Sequence, residues 1–336
     1  MTGNFVVLSL LAFWVLISVT PSQAEMVLDN SAIGATENAV VMPDGRYFVA
    51  GDRGIFEIKR SVDISPDCFY EAVSGLTTCL QVAKPSNSRN GFFSGLTTDG
   101  EHLYAAYNQW NPFLLLLGRP AAAAFYKILP GTSAAARIQI KPFENPVWYN
   151  GMVTLDSDTL LLSASQSGTA LNFAGPAIVR LTITDHENLH FELGEWLSAG
   201  PGMLLPNGLV KGGESLYFVG GQSLFRVNID AEGNAGEPTR IYKTGPFHFM
   251  DDLTLSGDTL AVTEFSPING LVKNYITLLD IGSNHLIKKI PSDRIQLSSL
   301  AVDQGLIGNA GDLIGTSYFQ GGIHVYTIDT SAEQRL

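Results

Sequence analysis

The feature that most constrains this chain is a unit that recurs along it, a turn rich in Gly, Asp and Asn followed by a short apolar strand. Six such strands follow one another at intervals of 56, 57, 56, 44 and 53 residues. They begin at Arg46, His102, Thr159, Ser215, Thr259 and Asp312. Turns of this kind between apolar runs are typical of β-hairpins. The interval suits a repeated unit of four strands with their loops.

Six such units predict an all-β fold, a six-bladed β-propeller with four antiparallel strands per blade. The last unit contains only three good strands before a short polar tail, whereas an apolar segment at 26–28 precedes the first inner strand. We expect this N-terminal segment to supply the missing strand. That arrangement joins the two ends of the chain in one blade and protects a sheet edge.

Composition bounds the domain organisation and the partners. The chain has 336 residues, 45% of them hydrophobic, which is enough to bury a large core. A closed repeat fold can absorb the whole length, so residues 25–336 are predicted to form one domain, and we expect a monomer. The net charge of −12 and the absence of a Lys/Arg cluster in the sequence argue against nucleic acid as a partner.

The first 24 residues have the features of a signal peptide. An apolar run covers residues 5–19, and a small-x-small pattern ends at Ala24, where we predict cleavage. The alternative is a retained anchor, but the run is shorter than the ~20 residues that a membrane span needs. The mature chain is therefore expected to be secreted or periplasmic, without membrane association.

The two cysteines, Cys68 and Cys79, fit an exported protein. Their spacing suits a disulfide across one hairpin of the first unit, which would contribute at most roughly 3 kcal/mol by closing a small loop. Two cysteines cannot form a zinc site unaided, so we predict a structural disulfide.

Oxygen-bearing side chains stand at matched positions just before the inner strands. They are Glu37, Asn150, Asn207 and Asp251, in units one, three, four and five, and Asp252 follows the last of them. Singly, an Asn-Gly pair more often marks a turn than a ligand. Recurrence in register is harder to explain in this way, because rotation about one axis would bring all these oxygens together.

A site of this composition favours calcium. Three carboxylates near one axis repel one another unless they take up protons or bind a cation. Oxygen ligands that include neutral amides suit Ca²⁺, whereas zinc prefers His or Cys. The predicted ligands are Glu37, Asn150, Asn207, Asp251 and Asp252.

This set of Glu, Asn, Asn and Asp, spread over a six-bladed propeller, resembles the superfamily of gluconolactonases, senescence-marker proteins and paraoxonases. The segment 311–316 followed by 323–326 also resembles the last blade of the paraoxonases. The resemblance implies an axial calcium that binds a small lactone or ester and supports its hydrolysis.

Two departures from that superfamily change what it implies. Paraoxonases have a His-Gly pair entering the second blade, where this chain has Ser94-Gly95, so their specific mechanism is not expected. They also hold a second calcium through Asp residues where this chain has Asn38 and Gly151, so one calcium is expected.

The catalytic candidates are Asp251, Asp252 and His248, any of which could deprotonate an attacking water. A solvent-facing loop histidine is the alternative for His248. The apolar run 112–117 is either an extended third strand or an apolar lip that admits a partly apolar substrate. Two rival functions remain, a strictosidine-synthase-like propeller and a binding propeller that calcium only stiffens.

Overall fold

The computed structural model describes residues 24–28, 33–62, 65–85, 90–109, 122–131, 137–145, 147–165, 175–266, 273–292, 297–318 and 322–328. Residues 1–23 of the predicted signal peptide and the apolar run 112–117 lie outside these ranges, and their predictions stand as made. Within the described ranges, no helix is long and apolar enough to cross a membrane.

The described strands form six antiparallel sheets, each built outward from an inner strand. The inner strands are β2 (Thr36–Val41), β7 (Gly91–Thr98), β11 (Trp148–Thr154), β15 (Pro206–Gly212), β19 (Phe249–Ser256) and β23 (Leu297–Val302). The second strands are β3 (Tyr47–Gly51), β8 (Leu103–Gln109), β12 (Thr159–Ser165), β16 (Ser215–Gly220), β20 (Thr259–Phe265) and β24 (Leu313–Ser317).

Two further strands complete each sheet. The third strands are β4 (Gly54–Lys59), β9 (Ala122–Leu129), β13 (Pro176–Asp185), β17 (Ser223–Asn228), β21 (Asn274–Asp280) and β25 (Ile323–Tyr326). The outer strands are β6 (Leu76–Ala83), β10 (Arg137–Pro142), β14 (His190–Ser198), β18 (Thr239–Lys243), β22 (His285–Ser292) and β1 (Ala24–Leu28). The fold is a six-bladed β-propeller, as the sequence predicted.

The ring closes through both ends of the chain. Strand β1 pairs with β25 and becomes the outer strand of blade 6, which confirms the prediction made from the three-stranded last unit. Neighbouring inner strands also contact each other all the way round, including β23 with β2. Opening the ring would therefore expose the unpaired edge of β25, a cost that the closure avoids.

Blade 1 carries one strand more than predicted. Strand β5 (Cys68–Glu71) pairs with β6 and lies at the outer edge of a five-stranded sheet. Cys68 lies directly opposite Cys79 in this pair, and the two form the predicted disulfide. The bridge fixes a short edge strand that has few other contacts to hold it.

The core lies between blades rather than within one. Each of six buried apolar clusters of the described residues draws on two neighbouring blades, as with Phe48 and Ile55 of blade 1 and Phe93 and Leu103 of blade 2. The second strands are consequently buried on both faces and read as continuous apolar runs, and β3 is buried at all five positions.

A buried ion pair lies within blade 5 and is hydrogen-bonded to the end of blade 4. Glu264 is 1% exposed and accepts a 2.8 Å bond from the ammonium of Lys289, together with bonds from Thr244, which follows β18, and from Thr277 of β21. Burial pushes the pKa of Glu264 upward, but the bonds from Lys289 and the two threonines outweigh it. The pKa of this carboxyl therefore lies below its ordinary value.

Candidate functional site

The predicted metal ligands lie inside the inner strands, not before them, whereas His248 directly precedes β19. In all six blades the pairing of the inner with the second strand skips residues at the same place, which is the mark of a β-bulge. The first bulged residues, which we call the polar ring, are Glu37, Ser94, Asn150, Asn207, Asp251 and Ser298. The bulges explain the error in the prediction, because they interrupt the strand pattern with the polar and Gly residues that usually mark turns.

Close approach of the next blade explains why glycine follows two of the asparagines. A Cβ on Gly208 would lie 2.6 Å from the Cα of Asp252, and one on Gly151 would lie 3.0 Å from the backbone N of Leu209. Such distances leave no room for a side chain. The two Asn-Gly pairs are therefore bulges that let neighbouring inner strands pack closely, and not turns.

Hydroxyl groups of the second strands complete the hydrogen bonding that the bulges disrupt. Ser163 accepts a bond from the backbone N–H of Gly151 at 2.7 Å, and Thr263 accepts one from that of Asp252 at 2.9 Å. Unpaired buried backbone groups are costly, so these hydroxyls stabilise the irregular backbone that the site needs. The sequence pattern did not single out either residue, although each follows an apolar run of its strand at an equivalent position.

Two members of the polar ring bind to the neighbouring blade instead of facing a ligand. Ser94 donates to the carbonyl oxygen of Tyr149, and Asn108 donates to that same oxygen at 3.0 Å. Ser298 donates to the carbonyl oxygen of Thr36 at 2.6 Å. These serines connect blade 2 to blade 3 and blade 6 to blade 1.

The carboxylates of the ring lie within reach of one another's charge. Asp251 and Asp252 are 4% and 7% exposed. Burial and then the charges of Asp251 and Asp252 raise the pKa of Glu37 well above its ordinary value. The Nδ2 group of Asn207 donates to Asp251 Oδ1, which brings a fourth predicted residue to the cluster.

Asp252 is placed differently from Asp251. Its Oδ2 accepts a 3.0 Å bond from the backbone N–H of Leu300 in blade 6, and its Oδ1 lies against Gly208 in blade 4. Burial raises the pKa of Asp252 to about 6, although the bond from Leu300 acts in the opposite direction. The structure therefore separates the two adjacent carboxylates, one in the polar ring and one wedged between blades.

Asp252 also faces a cavity along the axis. This axial cavity has a volume of about 270 Å³ and is lined by residues of all six inner strands. Its lining comprises residues 38–41, 96–97, 151–153, 209–210, 252–255, 300–302 and Gln304. The volume is enough for several water molecules, and Asp252 offers them a carboxylate.

The side-chain oxygen of Asn150 is the feature of the polar ring that most favours a bound cation. This oxygen is buried and has no hydrogen-bond partner among the described residues. A buried polar atom without a partner calls for an explanation, and a bound cation would supply one. An amide oxygen is among the oxygen ligands that calcium prefers.

The ring is not a cluster of three or more acidic, histidine or cysteine side chains. Within the described ranges, no such group is arranged to hold a metal ion. The predicted ligands that come together are two carboxylates, Glu37 and Asp251, with the amide of Asn207, while Asn150 occupies the matching bulge of blade 3. The residues fit a calcium site in which amides supply half of the protein ligands.

His248 contacts the next loop of its own blade. Its Nε2 donates to the carbonyl oxygen of Lys273 at 2.9 Å, and its ring packs 5.8 Å from that of Tyr275. These contacts hold the entrance of β19 against the start of β21. A catalytic role for His248 stays a prediction.

Two exposed apolar side chains lie at the entrance to the ring. Leu205 and Phe247 precede β15 and β19 and are 49% and 61% exposed. Both have positive φ angles, 49° and 68°, which Leu and Phe rarely adopt. Backbone strain of this kind is concentrated at functional sites, where the fold holds it in place.

A groove of about 720 Å³ lies elsewhere, among the outer strands of blades 3 and 4, and it contains none of the predicted site residues.

Comparison with known proteins gives the fold. No protein-family model matches the chain, and no curated protein matches it. Among solved structures, it is similar to the WD40 β-propeller domain of Doa1, with a TM-score of 0.52 and 9% identity over 92% of this chain and 98% of that one. It is also similar to the extracellular domain of BT4673 from B. thetaiotaomicron, with a TM-score of 0.50 and 11% identity over 92% of this chain and 40% of that one. At these identities, the likenesses show that the chain has a β-propeller fold.

Proposed function

We propose that this propeller is a calcium-dependent hydrolase of lactones or carboxylic esters, with one axial calcium site. The observation that carries the proposal is the composition of the polar ring. Burial and the negative charge of Asp251 raise the pKa of Glu37. The side-chain oxygen of Asn150, in the matching bulge of blade 3, is buried without a partner among the described residues. A divalent cation would relieve the repulsion and satisfy that oxygen.

Glu37, Asn150, Asn207 and Asp251 would hold the ion. When bound, calcium would polarise the carbonyl group of a lactone or ester. The bulges present these four side chains from blades 1, 3, 4 and 5, so each ligand is fixed by a different part of the ring. Ligands held by a rigid scaffold need little reorganisation on binding.

Asp252 is the proposed general base. It faces the axial cavity, on the far side of the polar ring from the entrance, so a water that it holds would lie between the carboxylate and a substrate bound at the ring. Its own Oδ2 is fixed by the backbone N–H of Leu300, which orients the carboxylate. A positioned carboxylate that takes a proton from water typically contributes roughly 10²- to 10⁴-fold to a rate, and we expect an effect of this order here.

The expected substrate is uncharged and partly apolar. Leu205 and Phe247 offer apolar surface at the entrance. The acidic chain, with its net charge of −12, would repel anionic substrates before they reached the ring.

Two neighbouring substitutions test the proposal. Asp251→Asn should lower the affinity for calcium, measured by titration calorimetry. Asp252→Asn should keep calcium and lose about 10²-fold in turnover, the lower range for loss of a general base. Both are isosteric, so each serves as a packing control for the other.

The outcomes distinguish the rival functions. Wild-type protein that binds about one calcium per chain but hydrolyses no lactone or ester would be a binding propeller. Wild-type protein without any calcium affinity would leave the polar ring as a metal-free structural feature and refute the proposal.

A further inference from the structure

The axial cavity opens on the face opposite the entrance. Along β19 the lining residue Leu253 is 3% exposed, whereas Thr254 and Leu255, which come later in the strand, are only half-buried. Gln304, which follows β23, lines the same cavity and is exposed. Because the inner strands begin at the entrance and become exposed at their other ends, solvent reaches the cavity from the opposite face.

Asp252 is the ionisable side chain among the described residues that line this cavity. Its Oδ2 accepts the bond from Leu300 in the inner strand on one side, and its Oδ1 lies beside Gly208 in the inner strand on the other side. A side chain that reaches both flanking inner strands projects towards the axis. Among the described residues, no Lys, Arg or His forms an ion pair with this carboxylate.

The walls around this carboxylate are of two kinds. Most of the lining side chains are aliphatic, among them Val153, Val210 and Val302. Each inner strand also stands at the end of its sheet, so the backbone groups along its axial edge have no partner strand among the described strands. The cavity therefore offers aliphatic surface and backbone carbonyl oxygens beside one negative charge. A bare metal ion would use only the oxygens, whereas an ammonium group with a short alkyl chain would use both.

The mouth of the cavity favours cations. Each of the six turns that join an inner strand to a second strand carries a carboxylate; in chain order these include Asp44, Asp99, Asp156, Glu214, Asp258 and Asp303. Two basic residues lie on the same face, Lys211 at the end of β15 and Arg46, which is paired with Glu57. A surface with an excess of one charge concentrates ions of the opposite sign.

We propose that the axial cavity is a binding site for a small primary alkylammonium ion, which enters from the face opposite the polar ring. The ammonium group donates to Asp252 and to backbone carbonyl oxygens, and the alkyl chain packs on the aliphatic walls. An apolar cavity of ~150 Å³ holds benzene, so about 270 Å³ accommodates a chain of roughly four to six carbons. The site goes beyond the proposed function and does not depend on it, because it requires neither calcium nor hydrolysis.

Titration calorimetry with n-butylammonium tests the site in the wild-type protein. Calcium is kept in excess, so that any calcium site in the polar ring is filled and cannot account for the binding. We expect one butylammonium per chain, with an affinity that rises about fourfold per methylene group from methylammonium to butylammonium. Butan-1-ol, which has the same alkyl chain without the charge, should bind at least about 10-fold more weakly.

Three variants locate the site. Asp252→Asn keeps the shape of the side chain and removes its charge, so the affinity for butylammonium should fall at least about 10-fold. Asp258→Asn is the matched control, because it removes an exposed carboxylate from the turn of the same blade, and it should change the affinity by less than about twofold. Thr254→Phe leaves Asp252 in place but fills the cavity beside it, so butylammonium should lose more affinity than methylammonium. The melting temperature of each variant shows whether it is folded.

Three results would overturn the inference. Ammonium chloride that binds as tightly as butylammonium would show a bare cation site to which the aliphatic walls contribute nothing. Equal affinities of the wild type and Asp252→Asn would show that the carboxylate is not the ligand, and the chain-length series with Thr254→Phe decides the matter if Asp252→Asn does not fold. Wild-type protein that binds none of the amines would refute the site, whether or not it hydrolyses a lactone or an ester.

Discussion

Gly208 packs so closely against the next inner strand that a side chain at this position would clash with it. An added Cβ would lie 2.6 Å from the Cα of Asp252 and 2.9 Å from Cδ2 of Leu253. The first of these atoms belongs to the backbone of the next inner strand and cannot rotate away. We therefore expect Gly208→Ala to force blades 4 and 5 apart.

The magnitude follows from the kind of contact. Overpacking of a well-packed core costs typically ~1–3 kcal/mol, and a clash with backbone belongs at the upper end. For domains somewhat smaller than this one, 1 kcal/mol lowers the melting temperature by ~2–4 °C, so a cost of ~3 kcal/mol predicts a fall of roughly 6–12 °C.

Differential scanning calorimetry is the assay, with Gly194→Ala as the matched control. Gly194 lies in the outer strand β14, and no atom stands within 4 Å of the Cβ that would be added. This substitution should leave the melting temperature unchanged or raise it slightly, because alanine restricts the unfolded chain.

A melting temperature of Gly208→Ala equal to that of the wild type would refute this explanation. The bulges would then tolerate a side chain, and close packing would not explain why glycine follows the asparagines. A large fall in the melting temperature of both variants would indicate that glycine substitutions are generally destabilising in this fold. The effect at Gly208 could then not be attributed to close packing between blades.

Two further predictions concern the buried ion pair and the disulfide. Glu264→Gln should destabilise the fold by ~2 kcal/mol at pH 7, the size of a hydrogen bond to a charged group. Because the folded-state pKa of Glu264 is depressed, its contribution is present above about pH 4.5 and is lost as the pH falls through the folded pKa. The difference in melting temperature should therefore shrink below pH 4.5, and a constant difference would contradict the pair. Cys68→Ser opens the bridge to Cys79 and should cost at most roughly 3 kcal/mol without changing calcium affinity, as measured by calorimetry. Loss of calcium binding in this variant would contradict a purely structural disulfide.

The blade count could be predicted from the sequence because it depends on local signals, and the closure could be predicted because the last unit lacked one strand that the N-terminal segment could supply. Hairpin turns and apolar strands recur at a nearly fixed interval, and each unit determines its own sheet. The disulfide was equally local, since Cys68 and Cys79 lie on one hairpin and face each other in its register.

The polar residues of the inner strands that form the candidate site could be picked out from the sequence, but not their arrangement. Recurrence in register marked Glu37, Asn150, Asn207 and Asp251, because rotation about one axis maps equivalent positions onto each other. The pattern placed them in turns before the strands, since bulge and turn favour the same polar residues and glycine.

Contacts between blades decided the rest, and these depend on residues far apart in the chain. Only the tertiary structure separates Asp251 in the ring from Asp252 against Leu300, because that bond crosses from blade 5 to blade 6. Only the closed ring brings Tyr318 of the last blade to Phe92 of the second. The sequence determined what each blade contributes at the axis, whereas closure of the ring determined which of those groups meet.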